Sequence, residues 1–493
     1  MKEKLLCLTV LGLIFLTAGI APTAASAAEP NPTVTGPITG GCSPSCPSPP
    51  GPATGIHTPE AFDGVSNQSQ FIAADYTEEE FFFSGTATAF ERDPSAPAWT
   101  STGTWTASPS TTIPPVPYTS RMLVRRPTDP RKFNGTVIVE WFNVSALIDL
   151  PPDYGYYQAE LLRDGFIWVG VSAQSAGINT IPFFPYQLKS WDPVRYGPLN
   201  VAPSDNYCYD IYSQAAQAIR HPVGINPLGS SAYRIRRILA DGESQSAGRM
   251  VTYFNAIQPL AQVFDGFLIH STGPTGAPLF AGAGGSVPSP SFLRTDQQPA
   301  LVFETETDTA FYFPARQPNS RTYRLWEGAG TAHVDLQDLN SFMSDPVNQE
   351  PSYPANVCAL PDNTAHEDYL MNAALVQLSL WTHGFPPPTA PPIDVVAGVI
   401  QRDAFGIALG GIRLPEMDVP TEVEQGVGNT GTSFCVLFGT TTPLPVSLSS
   451  LYPNHFDYVS EFADETIELG LHGFLLFPDA VEAIIQASQS DVP

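Results

Sequence analysis

A serine between small residues is the strongest chemical signal in the chain. Ser244 has Gly242 two positions before it and Ser246 two positions after it, in the string Gly242-Glu243-Ser244-Gln245-Ser246. Small residues at these positions let a strand turn sharply into a helix and expose the serine hydroxyl as a nucleophile. Because Ser246 is the central serine of a second string of this kind, Ser244-Gln245-Ser246-Ala247-Gly248, it is kept as an alternative nucleophile.

The residues around this string favour a strand followed by a helix. Residues 236–240 form a short apolar run that is typical of a buried strand, and residues 248–257 have the pattern of a helix. A reactive serine on a sharp turn requires this context. The interpretation of Ser244 as a nucleophile therefore depends on both elements.

A serine nucleophile needs a base that takes its proton and an acid that holds the base. His333 follows a predicted strand and lies in a Gly-rich string, so it is the predicted base. An apolar run earlier in the chain ends in a segment with three acids, Glu304, Glu306 and Asp308. Asp308, just past the strand end, is the predicted acid and Glu306 is the alternative. Glu304 is interpreted as a polar residue on the strand itself.

Backbone N–H groups would stabilise the oxyanion that forms when a serine attacks a carbonyl. One donor is the N–H of Gln245, the residue after the nucleophile. The second is expected in the loop after the strand predicted over residues 134–143, where Val144 and Ser145 are the candidates. Asn143 is a candidate for orienting that loop. The choice between Val144 and Ser145 stays open in the sequence.

The elements that must position these residues alternate along the chain. Helical patterns or loops separate apolar strand patterns at residues 134–143, 166–172, 236–240, 263–270, 300–305 and 322–327. This alternation predicts an α/β fold with a mainly parallel central sheet. Sites in such sheets lie at the carboxyl ends of the strands, where Ser244, Asp308 and His333 are expected to meet.

Four segments are predicted along the chain. Residues 1–27 have a basic start, an apolar stretch and a small-residue cleavage site, which indicates a signal peptide and a secreted or periplasmic protein. Residues 28–56 are rich in Pro, Gly and Ser and are predicted to be a linker. Residues 57–385 are expected to form the core, including N-terminal strands. Residues 386–493 should cap the site or buttress the sheet.

Charge and motif content narrow the range of partners. The formal net charge of −26 would repel the phosphates of nucleic acid and an anionic membrane surface. No membrane segment is expected once the signal is removed. No C-x-x-C or H-E-x-x-H string occurs, so neither a zinc site nor another metal site is predicted.

Cysteines indicate at least one disulfide bond. Five cysteines remain after the signal, and an exported protein would meet an oxidising compartment: Cys42, Cys46, Cys208, Cys358 and Cys435. The first two could close a small local loop, and two of the other three could bridge the late chain to the core. Their spacing does not determine which two pair.

Several strings, taken together and in order, resemble the alpha/beta hydrolase domain family: residues 118–127, 134–145, 169–174, 192–197, 209–214, 242–246, 329–333 and 410–415. The resemblance implies an α/β-hydrolase fold with an N-terminal β-rich extension and a C-terminal helical segment. It also implies a serine hydrolase of small-molecule carboxylic esters without a cofactor, with Ser244 as nucleophile and His333 as base. An amidase or peptidase with the same residues, and a non-catalytic hydrolase-like binding protein, remain as alternatives.

Overall fold

The computed structural model describes residues 29–38, 74–182, 187–280, 285–343, 357–432 and 434–492. The predicted signal peptide, most of the predicted linker and the pair Cys42 and Cys46 lie outside these residues. Everything below refers to the described part of the chain.

A ten-stranded sheet organises the described residues. Its strands in chain order are β1 (Thr33–Thr35), β2 (Tyr76–Ala87), β3 (Val116–Pro127), β4 (Thr136–Trp141), β5 (Ile167–Val171), β6 (Val223–Gly224), β7 (Arg237–Glu243), β8 (Gly266–His270), β9 (Ala300–Thr305) and β10 (Tyr323–Gly328). Across the sheet the order is β10-β9-β8-β7-β4-β5-β3-β2-β1-β6. The strands from β10 to β5 are all parallel, whereas β3 and β2 run antiparallel to their neighbours. The predicted mainly parallel sheet is confirmed.

The longer helices flank this sheet. They are α1 (Pro152–Asp164), α2 (Cys208–Arg220), α3 (Gln245–Thr252), α4 (Glu306–Tyr312), α5 (Leu336–Met343), α6 (Glu367–Trp381), α7 (His455–Leu471) and α8 (Phe477–Gln489). Shorter helical turns occur at Leu188–Trp191, Pro193–Tyr196, Gln258–Ala261, Pro415–Asp418 and Leu448–Leu451. No helix within the described ranges is long and apolar enough to cross a membrane.

Both faces of the central strands are buried, as the continuous apolar runs predict. Side chains alternate between the two faces of a strand. In β4, Val137 and Val139 therefore join one apolar cluster, and Ile138 joins the other. Helix α2 covers the first face, and helices α1 and α6 contribute to the cluster on the second. The site residues at the strand ends are consequently held by a rigid, two-sided core.

Part of the predicted linker is a strand. Thr33–Thr35 form β1, which pairs antiparallel with β2 and parallel with β6. Val34 is 1% exposed and packs into the core, while the two threonines that flank it point outward. A single apolar residue between two threonines is a strand pattern too short to be recognised within a Pro- and Gly-rich stretch. The expectation that residues 28–56 are a linker throughout is therefore wrong for these residues.

The C-terminal segment packs against the sheet at β10. Ile412 forms a parallel bridge with Gly328, the last residue of that strand. Phe474, between α7 and α8, lies edge-on against Trp326 with ring centroids 5.1 Å apart. The segment also contains two small antiparallel strand pairs, Val395–Val396 with Val399–Ile400 and Glu422–Gln425 with Thr440–Pro443. These contacts hold the C-terminal segment against the last strand of the sheet.

One disulfide bond ties this segment to the core. It joins Cys358 and Cys435, which are 77 residues apart, while Cys208 is a free, buried thiol in α2. Burial raises the pKa of the Cys208 thiol to about 12. That thiol therefore stays protonated and unreactive while the protein is folded.

Removing the disulfide should destabilise the protein. Replacing both Cys358 and Cys435 with Ala is expected to lower the free energy of unfolding by about 2 to 4 kcal/mol, because the bond restricts a long loop in the unfolded chain. Calorimetry would show a lower melting temperature. Cys208→Ala is the matched control, since it removes a thiol without breaking a crosslink. A double variant with the same melting temperature as the wild type would contradict the prediction.

Candidate active site

Ser244 lies at the sharp turn between β7 and α3. Its backbone has φ 55° and ψ −113°, a conformation that residues other than glycine rarely adopt. The Ser244 N–H donates to the carbonyl oxygen of His270 at 2.9 Å, and its own carbonyl oxygen accepts from the N–H of Gly248 at 3.0 Å. A Cβ atom added at Gly242 would lie 3.2 Å from Cβ of Ser246. Small residues on both sides of Ser244 thus allow this turn.

The structure brings Ser244, His333 and Asp308 into one hydrogen-bonded chain. The hydroxyl Oγ of Ser244 lies 2.8 Å from Nε2 of His333. Nδ1 of His333 lies 2.9 Å from Oδ1 and 3.0 Å from Oδ2 of Asp308. Ser244 directly follows β7, Asp308 lies in the first turn of α4 after β9, and His333 follows β10. All three residues therefore lie at the carboxyl edge of the sheet, where the sequence predicts them.

Charges in the site oppose the effect of burial. Burial alone would lower the pKa of His333, but the carboxylates of Asp308 and Glu243 raise it to about 9. Burial alone would raise the pKa of Asp308. The charge of His333 and the hydrogen bonds from His333 and Thr305 have the larger effect, so the pKa of Asp308 lies below its usual range. Asp308 is thus the ionised partner of a readily protonated imidazole.

Glu306, the alternative acid, has other partners. Its carboxylate accepts hydrogen bonds from Nη2 of Arg402 at 2.5 Å, from the N–H of Gly330 at 2.9 Å and from the N–H of Gly426 at 3.2 Å. It joins the C-terminal segment to the loop before His333 and does not contact the imidazole. Glu304 is buried in β9, and burial raises its pKa well above the usual value.

Ser246, the alternative nucleophile, points into the protein. Its side chain is fully buried in the first turn of α3. The hydroxyl Oγ donates to the carbonyl oxygen of Glu243 at 2.9 Å. This hydrogen bond closes the turn beneath Ser244, and the geometry gives Ser246 a structural role.

The loop after β4 distinguishes the two candidate oxyanion donors. The N–H of Ser145 donates to Oδ1 of Asn143 at 2.8 Å and is occupied. The N–H of Val144 donates to Oε1 of the Gln245 side chain at 3.5 Å, so it is held much less firmly than the N–H of Ser145. Gln245 is the first residue of α3, where backbone N–H groups are not used by the helix. The geometry therefore favours Val144 with Gln245, and Asn143 orients the loop.

Sequence reasoning gave no role to Glu243, which precedes the serine. Its Oε1 lies 3.0 Å from Nε2 of His333. Its Oε2 accepts a hydrogen bond from Nδ2 of Asn143 at 2.8 Å. The available signal was an acid at the last position of a buried strand, directly beside the predicted nucleophile.

Two threonines around α4 were also missed. Oγ1 of Thr305, the residue that caps α4, donates to Oδ2 of Asp308 at 2.6 Å. Oγ1 of Thr307 accepts from the N–H of His333 at 3.1 Å and donates to the carbonyl oxygen of Gly426. The first fixes the carboxylate and the second fixes the backbone of the histidine loop. A threonine just before a helix is a recognisable cap signal.

His270 ends β8 beneath the site and is fully buried. Its Nδ1 lies 2.7 Å from Oδ1 of Asp153, and its Nε2 lies 2.8 Å from Oε1 of Glu367. Both ring nitrogens are thus used in packing the strand end against α1 and α6. Among the described residues, no group of three or more His, Cys, Asp or Glu side chains is arranged to hold a metal ion.

Comparisons with known proteins identify the family. No curated protein matches the chain. One similar solved structure is a fungal esterase from Rhizomucor miehei, with 11% identity and a TM-score of 0.27, over 61% of this chain and 89% of that one. A second is a hyperthermophilic esterase from the archaeon Pyrobaculum calidifontis, with 13% identity and a TM-score of 0.25, over 42% of this chain and 70% of that one. A third is a glucuronoyl esterase from Solibacter usitatus, with 11% identity and a TM-score of 0.27, over 51% of this chain and 76% of that one. The family model for the alpha/beta hydrolase domain matches residues 34–485. The chain therefore belongs to the alpha/beta hydrolase domain family.

Proposed function

We propose that the protein is a serine hydrolase that cleaves carboxylic esters through an acyl-enzyme. In this proposal Ser244 is the nucleophile, His333 the general base and Asp308 the acid that supports it. The observation that carries the proposal is the hydrogen-bonded chain from Ser244 Oγ to His333 Nε2 (2.8 Å) and from His333 Nδ1 to Asp308 Oδ1 (2.9 Å). Membership of a hydrolase family supports the same reaction class.

The proposed reaction has two halves. Nε2 of His333 takes the proton of Ser244 as Oγ attacks the ester carbonyl, and Asp308 stabilises the resulting imidazolium. The N–H groups of Gln245 and Val144 stabilise the oxyanion of the tetrahedral intermediate. The imidazolium then gives its proton to the leaving alcohol, which leaves an acyl ester on Ser244. A water molecule, activated by His333, releases the acid by the same steps in reverse.

Two other functions use the same fold. An amidase or peptidase would use the same residues with a poorer leaving group. A hydrolase-like binding protein would not need the hydrogen-bonded chain, so its presence favours an enzyme. The acidic net charge of −26 favours a small-molecule ester over nucleic acid or an anionic membrane surface as partner.

We also infer that the protein is exported. The basis is the signal-like pattern of residues 1–27, and the disulfide between Cys358 and Cys435 is compatible with an oxidising compartment. The amino-terminal sequence of the protein recovered from its native host would test this. A start near residue 28 is expected, and a mature protein that retains residues 1–27 would contradict it.

A serine-directed fluorophosphonate should label the folded wild type covalently on Ser244. The reason is that such reagents report a serine activated by its base, whichever acyl substrate the enzyme prefers. Peptide mass mapping would locate the adduct, and heat-unfolded protein is the control for unspecific labelling. A panel of p-nitrophenyl esters from short to long acyl chains would then test turnover. Folded protein that takes no label would contradict the proposal in favour of a binding protein.

A further inference from the structure

Two groups compete for the same nitrogen of His333. Nε2 lies 2.8 Å from Oγ of Ser244 and 3.0 Å from Oε1 of Glu243. The position of Glu243 is fixed, because it is the last residue of β7, is 3% exposed and accepts a hydrogen bond from Asn143 at 2.8 Å through its other oxygen. A triad of serine, histidine and aspartate needs no carboxylate there.

The charges around this pair come from several elements. His333 faces Asp308 from α4 and Glu243 from β7, and these two carboxylates raise the pKa of the imidazole to about 9 against the effect of burial. Burial, with a smaller effect of the charge of Asp308, raises the pKa of Glu243 above its usual range. The charges of His333 and of His270, from β8, and the hydrogen bond from Asn143 oppose this shift. Asn143 is neutral. Oε1 of Glu243 is buried and has no hydrogen-bond partner among the described residues, so its 3.0 Å contact with Nε2 of His333 is a contact between charges.

We propose that Glu243 is a positioning residue for the general base: its carboxylate, 3.0 Å from Nε2 of His333, stabilises the imidazolium and so sets the pH above which Ser244 can be activated. This inference rests on the proposed function for its effect on turnover, but the protonation of His333 can be observed without turnover. It assigns a role to the residue before the nucleophile that the triad leaves unexplained.

The sign of the effect follows from the lone pair on Nε2. When the imidazole is protonated, the carboxylate of Glu243 stabilises its charge, and Nε2 has no lone pair free to take the proton of Ser244. When pH rises through the pKa of His333, the lone pair becomes free and the site becomes active. With a pKa of about 9, only about one site in a hundred is active at pH 7. When Ser244 attacks, the imidazolium forms again and Glu243 stabilises it.

The pH dependence of kcat/KM for p-nitrophenyl acetate tests the proposal. The wild type should lose activity below a midpoint near pH 9. Glu243→Gln keeps the size of the side chain and its contact with Asn143 but removes the charge. Its midpoint should fall by about one pH unit or more, which raises its activity at pH 7 about tenfold relative to its own plateau. Its plateau should be lower than that of the wild type.

Glu160→Gln is the matched control. Glu160 is also a nearly buried acid, but it is paired with Arg163 in α1 and lies outside the site. This variant should keep the midpoint of the wild type. A Glu243→Gln variant with an unchanged midpoint would overturn the proposal, because the loss of a purely structural contact would lower the activity without moving the pH profile.

Nuclear magnetic resonance separates this proposal from the proposed function. In protein with isotope-labelled histidine, the ring signals absent from His333→Ala identify His333. They should titrate near pH 9 in the wild type and at lower pH in Glu243→Gln. A wild-type midpoint at the ordinary value of 6.5 would overturn the proposal even if the variant failed to fold. A midpoint near 9 that falls in Glu243→Gln, in a protein that cleaves no ester, would support the role of Glu243 and contradict the proposed function.

Discussion

Replacing Ser244 with Ala should reduce kcat for p-nitrophenyl esters by about 10⁵-fold, the largest effect expected of any single substitution in this chain. Without Oγ no acyl-enzyme can form, and only the oxyanion donors and substrate binding remain to accelerate direct attack by water. The fold should not change, because Ala meets the same backbone strain at φ 55° as Ser does. Steady-state kinetics on protein with an unchanged melting temperature would measure the loss.

Ser246→Ala is the control, two positions along the chain in the first turn of α3. It removes a buried hydroxyl that donates to the carbonyl oxygen of Glu243 at 2.9 Å. The expected cost is about 1 kcal/mol of stability, with activity within about tenfold of the wild type. The opposite pattern, an active Ser244→Ala beside an inactive Ser246→Ala, would move the nucleophile to Ser246. Equal loss in both variants would indicate damage to the turn rather than to the chemistry.

The strands could be predicted because both faces of the sheet are covered. Their continuous apolar runs are visible without partners, and the pattern at residues 300–305 coincides with β9, Ala300–Thr305. The order of the strands could not be predicted in the same way. Neighbours such as β4 and β7 are separated by α1, β5, α2 and β6, and pairing between segments so far apart leaves no local pattern. β1 was missed for a related reason. Its single buried residue, Val34, packs against residues that are distant in the sequence, so no local pattern marks the strand.

The sequence predicted Ser244, His333 and Asp308 as the residues that meet, but it could not exclude the alternatives Ser246 and Glu306. The sequence offers three acids within five positions: Glu304, Glu306 and Asp308. In the structure Glu304 is on β9, and the other two lie on different sides of α4. Helix α4 begins at Glu306, directly after the cap Thr305, where a loop was expected. Two residues along a helix correspond to a rotation of about 200°. Asp308 therefore faces His333 while Glu306 faces Arg402.

Substitution of Asp308 is expected to have the second largest effect on kcat. Asp308→Asn should reduce kcat by about 10³- to 10⁴-fold, because an amide can hold the wrong tautomer of His333 and does not stabilise the imidazolium. It should also move the midpoint of the pH profile to lower pH, since Asp308 supplies the largest charge that raises the pKa of His333. A pH profile of kcat/KM would report both changes at once.

Glu306→Gln tests the same contrast from the other side. It leaves Asp308 beside His333 but weakens the hydrogen bonds to Arg402 and to the N–H groups of Gly330 and Gly426. We expect a loss of about 1.5 to 3 kcal/mol in stability, an activity within about tenfold of the wild type and the same pH midpoint. If Glu306→Gln moved the pH midpoint and Asp308→Asn did not, Glu306 would be the acid that supports His333. The pH profile decides between them, because it responds to the charge beside the imidazole and not to the stability of the loop.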